Sequence, residues 1–258
     1  MSERITLYSA KLCPFAHRVE IALKESGLPY NRCEIDFFNK PEWYIEKVNP
    51  AGKVPAIAYG GPEVLDPTKP SPESTKLFES LVLVEFVNDL ITLPSGGSTA
   101  LFPQDPVLRA KARFFIESVC SKLVPAFFNV HLRGEHPSLI LSAIDTLQDL
   151  LPEKEGFALG TQGGWSMADA AVLTVMARAE IGLENDLGVY DEGEGKKIWE
   201  NVMNEEKYER FRRWFGDAKA RKSFQETFDA EFVLENFKSR YPPLRAKRME
   251  ALKAASTA

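Results

Sequence analysis

Cysteine and histidine are both scarce, three of each in 258 residues. Cys13, Cys33 and Cys120 form no close pair, and an odd number cannot all be bridged within one chain. This excludes a disulfide framework and a paired-cysteine zinc site, and reads as a chain of a reducing compartment. There is no His-x-x-x-His pattern, so no metal is expected. The Gly-x-x-x-x-Gly-Lys-Ser/Thr phosphate loop is also missing, and "GEGKK" from Gly193 is not one. No apolar run approaches the ~18 residues of a membrane span. The opening "MSERITLYSAK" lacks the apolar stretch of a secretory signal, and no Asn-x-Ser/Thr acceptor occurs. Basic charge is not in excess: 32 Lys and Arg stand against 37 Asp and Glu, a formal −5. A nucleic-acid partner requires a basic footprint, so none is expected. Arg210, Arg212 and Arg213 read as a solvated helix face. The expectation is a cytoplasmic protein with no membrane and no nucleic-acid partner.

What is present suits a folded protein. The chain is 44% hydrophobic and 27% charged, enough to bury a core and stay dissolved. The first 90 residues alternate short strands and helices. "RITLYS" reads as a strand and 14–26 as a helix stopped by Gly27, with Val19, Ala22, Leu23 and Ser26 on one face. "YNRCEID", "KVPAIAY" and "TKLFES" read as strands, "KPEWYIEKV" as a short helix or turn, and "LVLVEFVNDL" as a helix. A βαβ start implies a parallel pair with a right-handed crossover. Residues 60–76, rich in Gly, Pro and Ser, form a long loop between strands that could have met in a tight turn. "ITLPSGGSTALFPQDP", 91–106, reads as a linker, and the remainder as helices. Strands gathered in one half and helices in the other give two domains.

The chemistry concentrates at "YSAKLCPFAHRVEIALKESG", residues 8–27. Cys13 stands where a helix cap would be, with Pro14 at the first helical position, where its missing N–H is no loss. The free amides of that turn and the helix dipole face the sulfur and favour a thiolate, below the usual thiol pKa of ~8.5. The bland alternative is a buried cysteine serving as a small hydrophobe. Ala16 stands where a second cysteine could have closed a redox pair, so an external thiol must resolve any mixed disulfide. Glutathione is the natural cytosolic candidate. A Cys13–His17 hydrolase pair lacks a visible orienting group. Pro55 opens a strand; a cis Val54–Pro55 bond would let Val54 offer its backbone to an extended peptide, while the alternative is a plain edge-strand start. Glu79 and Ser80 come at a strand-to-helix junction suited to capping or to anion and amine capture. Ser166 and Asp169 read as a structural capping box before an apolar run.

Together, "CPFAHRVEIAL", "NKPEWYIEKVNPAGKVPAI", "FES" and "SMADAAV" resemble the cytosolic glutathione transferases, of the omega class and the similar lambda class. The resemblance is dense over the first 90 residues and loose beyond. It implies an α/β plus all-α architecture. A thioredoxin-like, glutathione-binding domain (1–92) would precede a helical-bundle domain (104–258) forming a hydrophobic substrate site. By position it implies Cys13 as the residue forming a mixed disulfide with glutathione. Val54 would be the backbone clamp, Glu79 and Ser80 would hold the γ-glutamyl end, Lys40 the glycine end, and Phe15 and Lys53 would adjoin the site. It implies glutathione as co-substrate, no metal, a small hydrophobic or aromatic electrophile or glutathione conjugate as second substrate, and a homodimer. Thiol transfer, deglutathionylation or reduction is the implied activity; the alternative is a non-catalytic binder of aromatic compounds. The 60–76 loop is longer than the family's usual turn and lies near the dimerising face. The end of the chain, from "FDAEFVLENF", matches little in the pattern.

Overall fold

A computed structural model of the chain describes residues 4–92 and 101–256. In chain order its elements begin with β1 (Ile5–Ser9), α1 (Pro14–Ser26), β2 (Asn31–Glu34), α2 (Glu42–Lys47), β3 (Ala56–Tyr59), β4 (Thr75–Phe78) and α3 (Ser80–Thr92). Then come α4 (Pro106–Phe128), a π-helical turn (Asn129–Arg133), α5 (Ser138–Leu150), α6 (Gly160–Gly163), α7 (Met167–Glu184), α8 (Glu194–Asn204), a 3-10 turn (Glu206–Tyr208), α9 (Glu209–Lys219), α10 (Lys222–Gln225) and α11 (Ala230–Ser256). The chain divides into two compact units, Met1–Gln104 with Lys222–Phe228, and Asp105–Arg221 with Asp229–Ala258.

The first unit is a thioredoxin-like α/β fold with strand order β2-β1-β3-β4. β1 and β2 run parallel through the α1 crossover, while β3 is antiparallel to both β1 and β4. Leu7 pairs with Ile57 across the sheet, and both are fully buried. α1 and α3 pack on each other and bury Val19, Ala22, Leu23, Leu83, Val84 and Val87. Each such Leu or Val contributes roughly 1.5–3 kcal/mol by leaving water. Another cluster joins Tyr8, Cys13, Cys33, Tyr44, Val54 and Ala56. α1 ends where Gly27 turns left-handed at φ 67°, a conformation a side chain would strain. The long β3–β4 loop is stitched to its own unit. Tyr8 donates to the Pro67 carbonyl (2.9 Å), and Lys76 Nζ donates to the Ser71 (2.5 Å) and Ser74 (2.8 Å) carbonyls.

The second unit is built around α7, buried on nearly every side, as a helix apolar all round must be. Its start is the Ser166 capping box: Ser166 Oγ accepts from Ala168 N (3.2 Å), and Asp169 Oδ2 accepts from Ser166 N (3.0 Å). Asp169 also accepts from Ala158 N (2.7 Å) and Trp214 Nε1 (2.8 Å), tying α7 to α9. Burial pushes its carboxyl up to about 6 against the pull of those donors. The three arginines of α9 donate to backbone carbonyls: Arg210 to Leu151, Arg212 to Val202 and Glu205, Arg213 to Pro152. They act as staples as well as surface charge.

The 27-residue α11, which sequence pattern left unplaced, continues through Pro242 and Pro243. Each proline removes a helical donor. Tertiary bonds offset the loss: Arg245 reaches Asp186 Oδ2 (3.0 Å), the Asp186 carbonyl (2.6 Å) and the Gly188 carbonyl (2.9 Å), and Arg248 reaches Asp191 (2.7 Å). No helix among the described residues is long and apolar enough to cross a membrane.

Candidate active site

Cys13 caps α1 from an extended backbone (φ −80°, ψ 115°), with Pro14 next. Its Sγ accepts from Ala16 N at 3.4 Å and lies 3.5 Å from the Val54 carbonyl, to which the thiol can donate. The Cys13 carbonyl accepts from His17 N (3.1 Å), the bond that closes the first turn. The sulfur therefore meets the Ala16 amide on the helix side and the Val54 carbonyl, on the approach to β3, on the other. Cys13 is only 3% exposed, beneath the surface rather than on it.

Beside it the same unit holds a cavity of about 360 Å³. Phe15, Lys53, Val54, Pro55, Glu79 and Ser80 line it, so six positions singled out from sequence converge there. The Val54–Pro55 peptide is cis. The carbonyl before Val54 is fixed from below: Tyr44 Oη (2.6 Å) and Asn49 Nδ2 (2.7 Å) both donate to Lys53 O. Glu79 is held at φ 69°, rare for a residue with a side chain and costly enough to need support from its surroundings. α3 begins with Ser80 itself, so Ser80 is the first helical residue and not the residue ahead of the helix. Its hydroxyl accepts from Arg18 Nη1 at 3.3 Å.

Lys40 is not among the cavity's lining residues; its ammonium donates to the Phe37 carbonyl (2.6 Å) and lies over the Phe37 ring. Ser166 and Asp169 belong to the other unit. Sequence reasoning missed Arg18, Asn49, Leu81 and Val82, which also line the cavity. Arg18 had one signal: it follows Phe15 by three positions, hence shares its helix face, and its guanidinium sits 5.0 Å from that ring. Asn49 precedes Pro50 and reads only as a turn residue.

The other cysteines differ in kind. Burial, with Asp66 and Glu34 nearby, pushes the Cys33 thiol up, away from the thiolate. Cys120 is half-buried on α4. Among the described residues no cluster of three or more His, Cys, Asp or Glu could hold a metal ion.

Residues 12–90 match the family model described as "Glutathione S-transferase, N-terminal domain". Glutathione transferase Omega 1C from Trametes versicolor is 51% identical, with 94% of this chain and 98% of that one superposed at a TM-score of 0.85. Glutathione transferase Omega 2S from the same organism, solved with 2,4-dihydroxybenzophenone, is 41% identical at a TM-score of 0.84, over 93% of this chain and 100% of that one. Pyrimidodiazepine synthase of Drosophila melanogaster is 35% identical over 131 residues, 51% of this chain; the match spans about half of that protein, 47%.

Proposed function

Because the chain belongs to the omega-class glutathione transferases, we propose that it catalyses glutathione-dependent thiol transfer through Cys13. The observation that carries this reading is the cysteine at the α1 cap, its sulfur facing an amide and lying 3.5 Å from the carbonyl of Val54, a residue of the cavity wall. The Cys13 thiolate attacks the glutathionyl sulfur of a mixed disulfide. The Cys13–S–S–glutathione bond forms, and the substrate leaves as a thiolate. A second glutathione thiolate then attacks that bond, releasing oxidised glutathione and restoring the Cys13 thiolate. No other oxidant or reductant is needed.

Binding is assigned to the neighbours. Val54 offers backbone N–H and C=O to the cysteinyl unit, as an added strand would. Glu79 takes the α-amine of the γ-glutamyl unit, and Ser80, at a helix start, its carboxylate. Lys53 supplies positive charge toward the glycine end from the cavity wall; Lys40 would join it only by giving up its bond to the Phe37 carbonyl. Leu81 and Val82 give the cavity an apolar wall for the other half of the substrate. Glutathione is therefore the co-substrate, and a glutathionylated thiol or a small hydrophobic glutathione conjugate the partner. A homodimer in the cytoplasm is part of the same proposal.

The test is Cys13→Ser. Thiol transfer is expected to fall at least about a hundredfold, as for loss of a nucleophile. Glutathione affinity should stay within a few-fold, because its contacts lie elsewhere. Full activity in the variant overturns the reading.

A second reading is binding of aromatic compounds without chemistry. The helical unit has its own cavity of about 340 Å³, lined by Leu108, Phe114, Phe115, Leu150 and Leu159 among others. The benzophenone complex of the Omega 2S relative favours such binding. The two readings are compatible.

A further inference from the structure

We propose that the return segment Lys222–Phe228 positions the thiol site by holding α1 through His17. The inference rests on the reading of Cys13 as the nucleophile. His17 lies one helical turn beyond Cys13 and is 2% exposed. Its N–H closes the first α1 hydrogen bond, onto the Cys13 carbonyl, so the turn that aims Ala16 N at the sulfur is the turn His17 completes.

The His17 side chain is held from outside the helix. Nε2 is 2.9 Å from Thr227 Oγ1. The Thr227 hydroxyl itself donates to the Ser223 carbonyl (2.6 Å), so its oxygen accepts from His17 and the ring proton sits on Nε2. The ring stacks on Phe228 at 5.4 Å and 13°, with Phe224 at 5.3 Å. Further along α1, Lys24 pairs with Glu226 (2.8 Å) and Ser223 donates to Glu25 (2.5 Å). Seven residues that follow α9 in the chain thus grip α1 at three positions within the first unit.

The consequence is electrostatic. The stabilisation a helix end gives an anion comes from its first turn and depends on where those amides point. A first turn anchored at one end only by Cys13 and Pro14 can fray, turning its amides to water. His17, locked by Thr227 and Phe228, anchors the other end. Charged groups on α1 and the elements around it are Arg18, Glu20, Lys24 and Glu25 on the helix, Arg32 and Glu34 on β2, Glu85 and Asp89 on α3, Lys222 and Glu226 on the return segment, and Lys53 and Glu79 at the cavity. The variants below alter none of them.

The experiment follows carbamidomethylation of Cys13 by iodoacetamide against pH, read peptide by peptide, in the full-length wild type, Thr227→Val, His17→Ala and His17→Gln. In wild type the Cys13 midpoint is expected well below ~8.5. Thr227→Val keeps the shape and deletes the acceptor; it and His17→Ala should raise the midpoint by at least about half a unit, roughly a threefold loss of thiolate at fixed pH. His17→Gln, whose amide nitrogen reaches the place of Nε2, should restore most of it, and the Cys33 midpoint should not move. A low wild-type midpoint that neither variant shifts removes this inference alone. Failure of glutamine to rescue, or loss of the fold in Thr227→Val, overturns it as well, because the segment then serves stability and not the sulfur. An ordinary midpoint in wild type removes the reading of Cys13 beneath it.

Discussion

Acidification should loosen the helical unit at one residue, His131. The ring is fully buried in the π-helical turn after α4, ringed by Phe127, Tyr190, Phe237 and Tyr241. Its Nδ1–H donates to the Phe127 carbonyl at 3.0 Å. Nε2 is buried with no hydrogen-bond partner, and it lies so close to Gly182 that a Cβ there would stand 2.1 Å away. A proton on Nε2 would thus point at carbon. Burial accordingly holds the imidazole down at about 4, against an unfolded value of 6.5. The sign follows from proton counts. Between those values the unfolded chain binds the proton and the folded one does not, so stability rises with pH. The contribution is fully present above pH 6.5 and is lost as pH falls through about 4. The gap corresponds to about 3 kcal/mol, of which about 2 is lost by pH 5. That is a large share of a typical 5–15 kcal/mol. His131→Asn keeps a donor where Nδ1 stands and removes the titration. Urea unfolding of both proteins at pH 7.5 and pH 5 gives the answer by difference. Wild type should lose about 2 kcal/mol more than the variant. Equal losses refute the argument.

Asp169→Ala leaves three buried donors, Ala158 N, Ser166 N and Trp214 Nε1, without their acceptor, and should cost about 3–5 kcal/mol, read as a lowered urea midpoint. Asp169→Asn instead isolates its titration: since burial lifts the carboxyl to about 6, wild type should lose stability relative to the variant as pH rises from 4 to 7. Tyr44→Phe and Asn49→Ala, each deleting one donor to Lys53 O, should raise the glutathione KM several-fold while Cys13 alkylation stays unchanged. Replacing 61–75 by an Asn-Gly turn should alter the dimer dissociation constant measured by light scattering; an unchanged constant removes the loop from assembly.

Much of the first unit was legible because its signals are local. Gly27 ends α1 where a left-handed residue was needed, Pro14 starts it, and the period-two runs became β1, β2 and β3. The Ser166 and Asp169 spacing announced α7. What stayed hidden depends on distant partners. Arg18 and Asn49 join the cavity only once β3 and α3 are in place. α11 carries two internal prolines that argue against a helix locally, and the arginine bonds that outweigh them span more than 50 positions. Nor does the 222–228 pattern announce its return to the first unit, since Phe224, Thr227 and Phe228 take their meaning from His17. Lys40, matched to the site by resemblance, turns to its own loop.

The central claim is that Cys13 exchanges glutathione as a covalent passenger. Incubating the protein with oxidised glutathione, then weighing its peptides before and after adding reduced glutathione, tests it directly. One glutathionyl group should appear on Cys13, with Cys33, whose thiol is pushed up by burial, left unmodified, and fresh glutathione should remove it. An adduct confined to Cys33 or Cys120, or one on Cys13 that glutathione cannot release, would contradict the account.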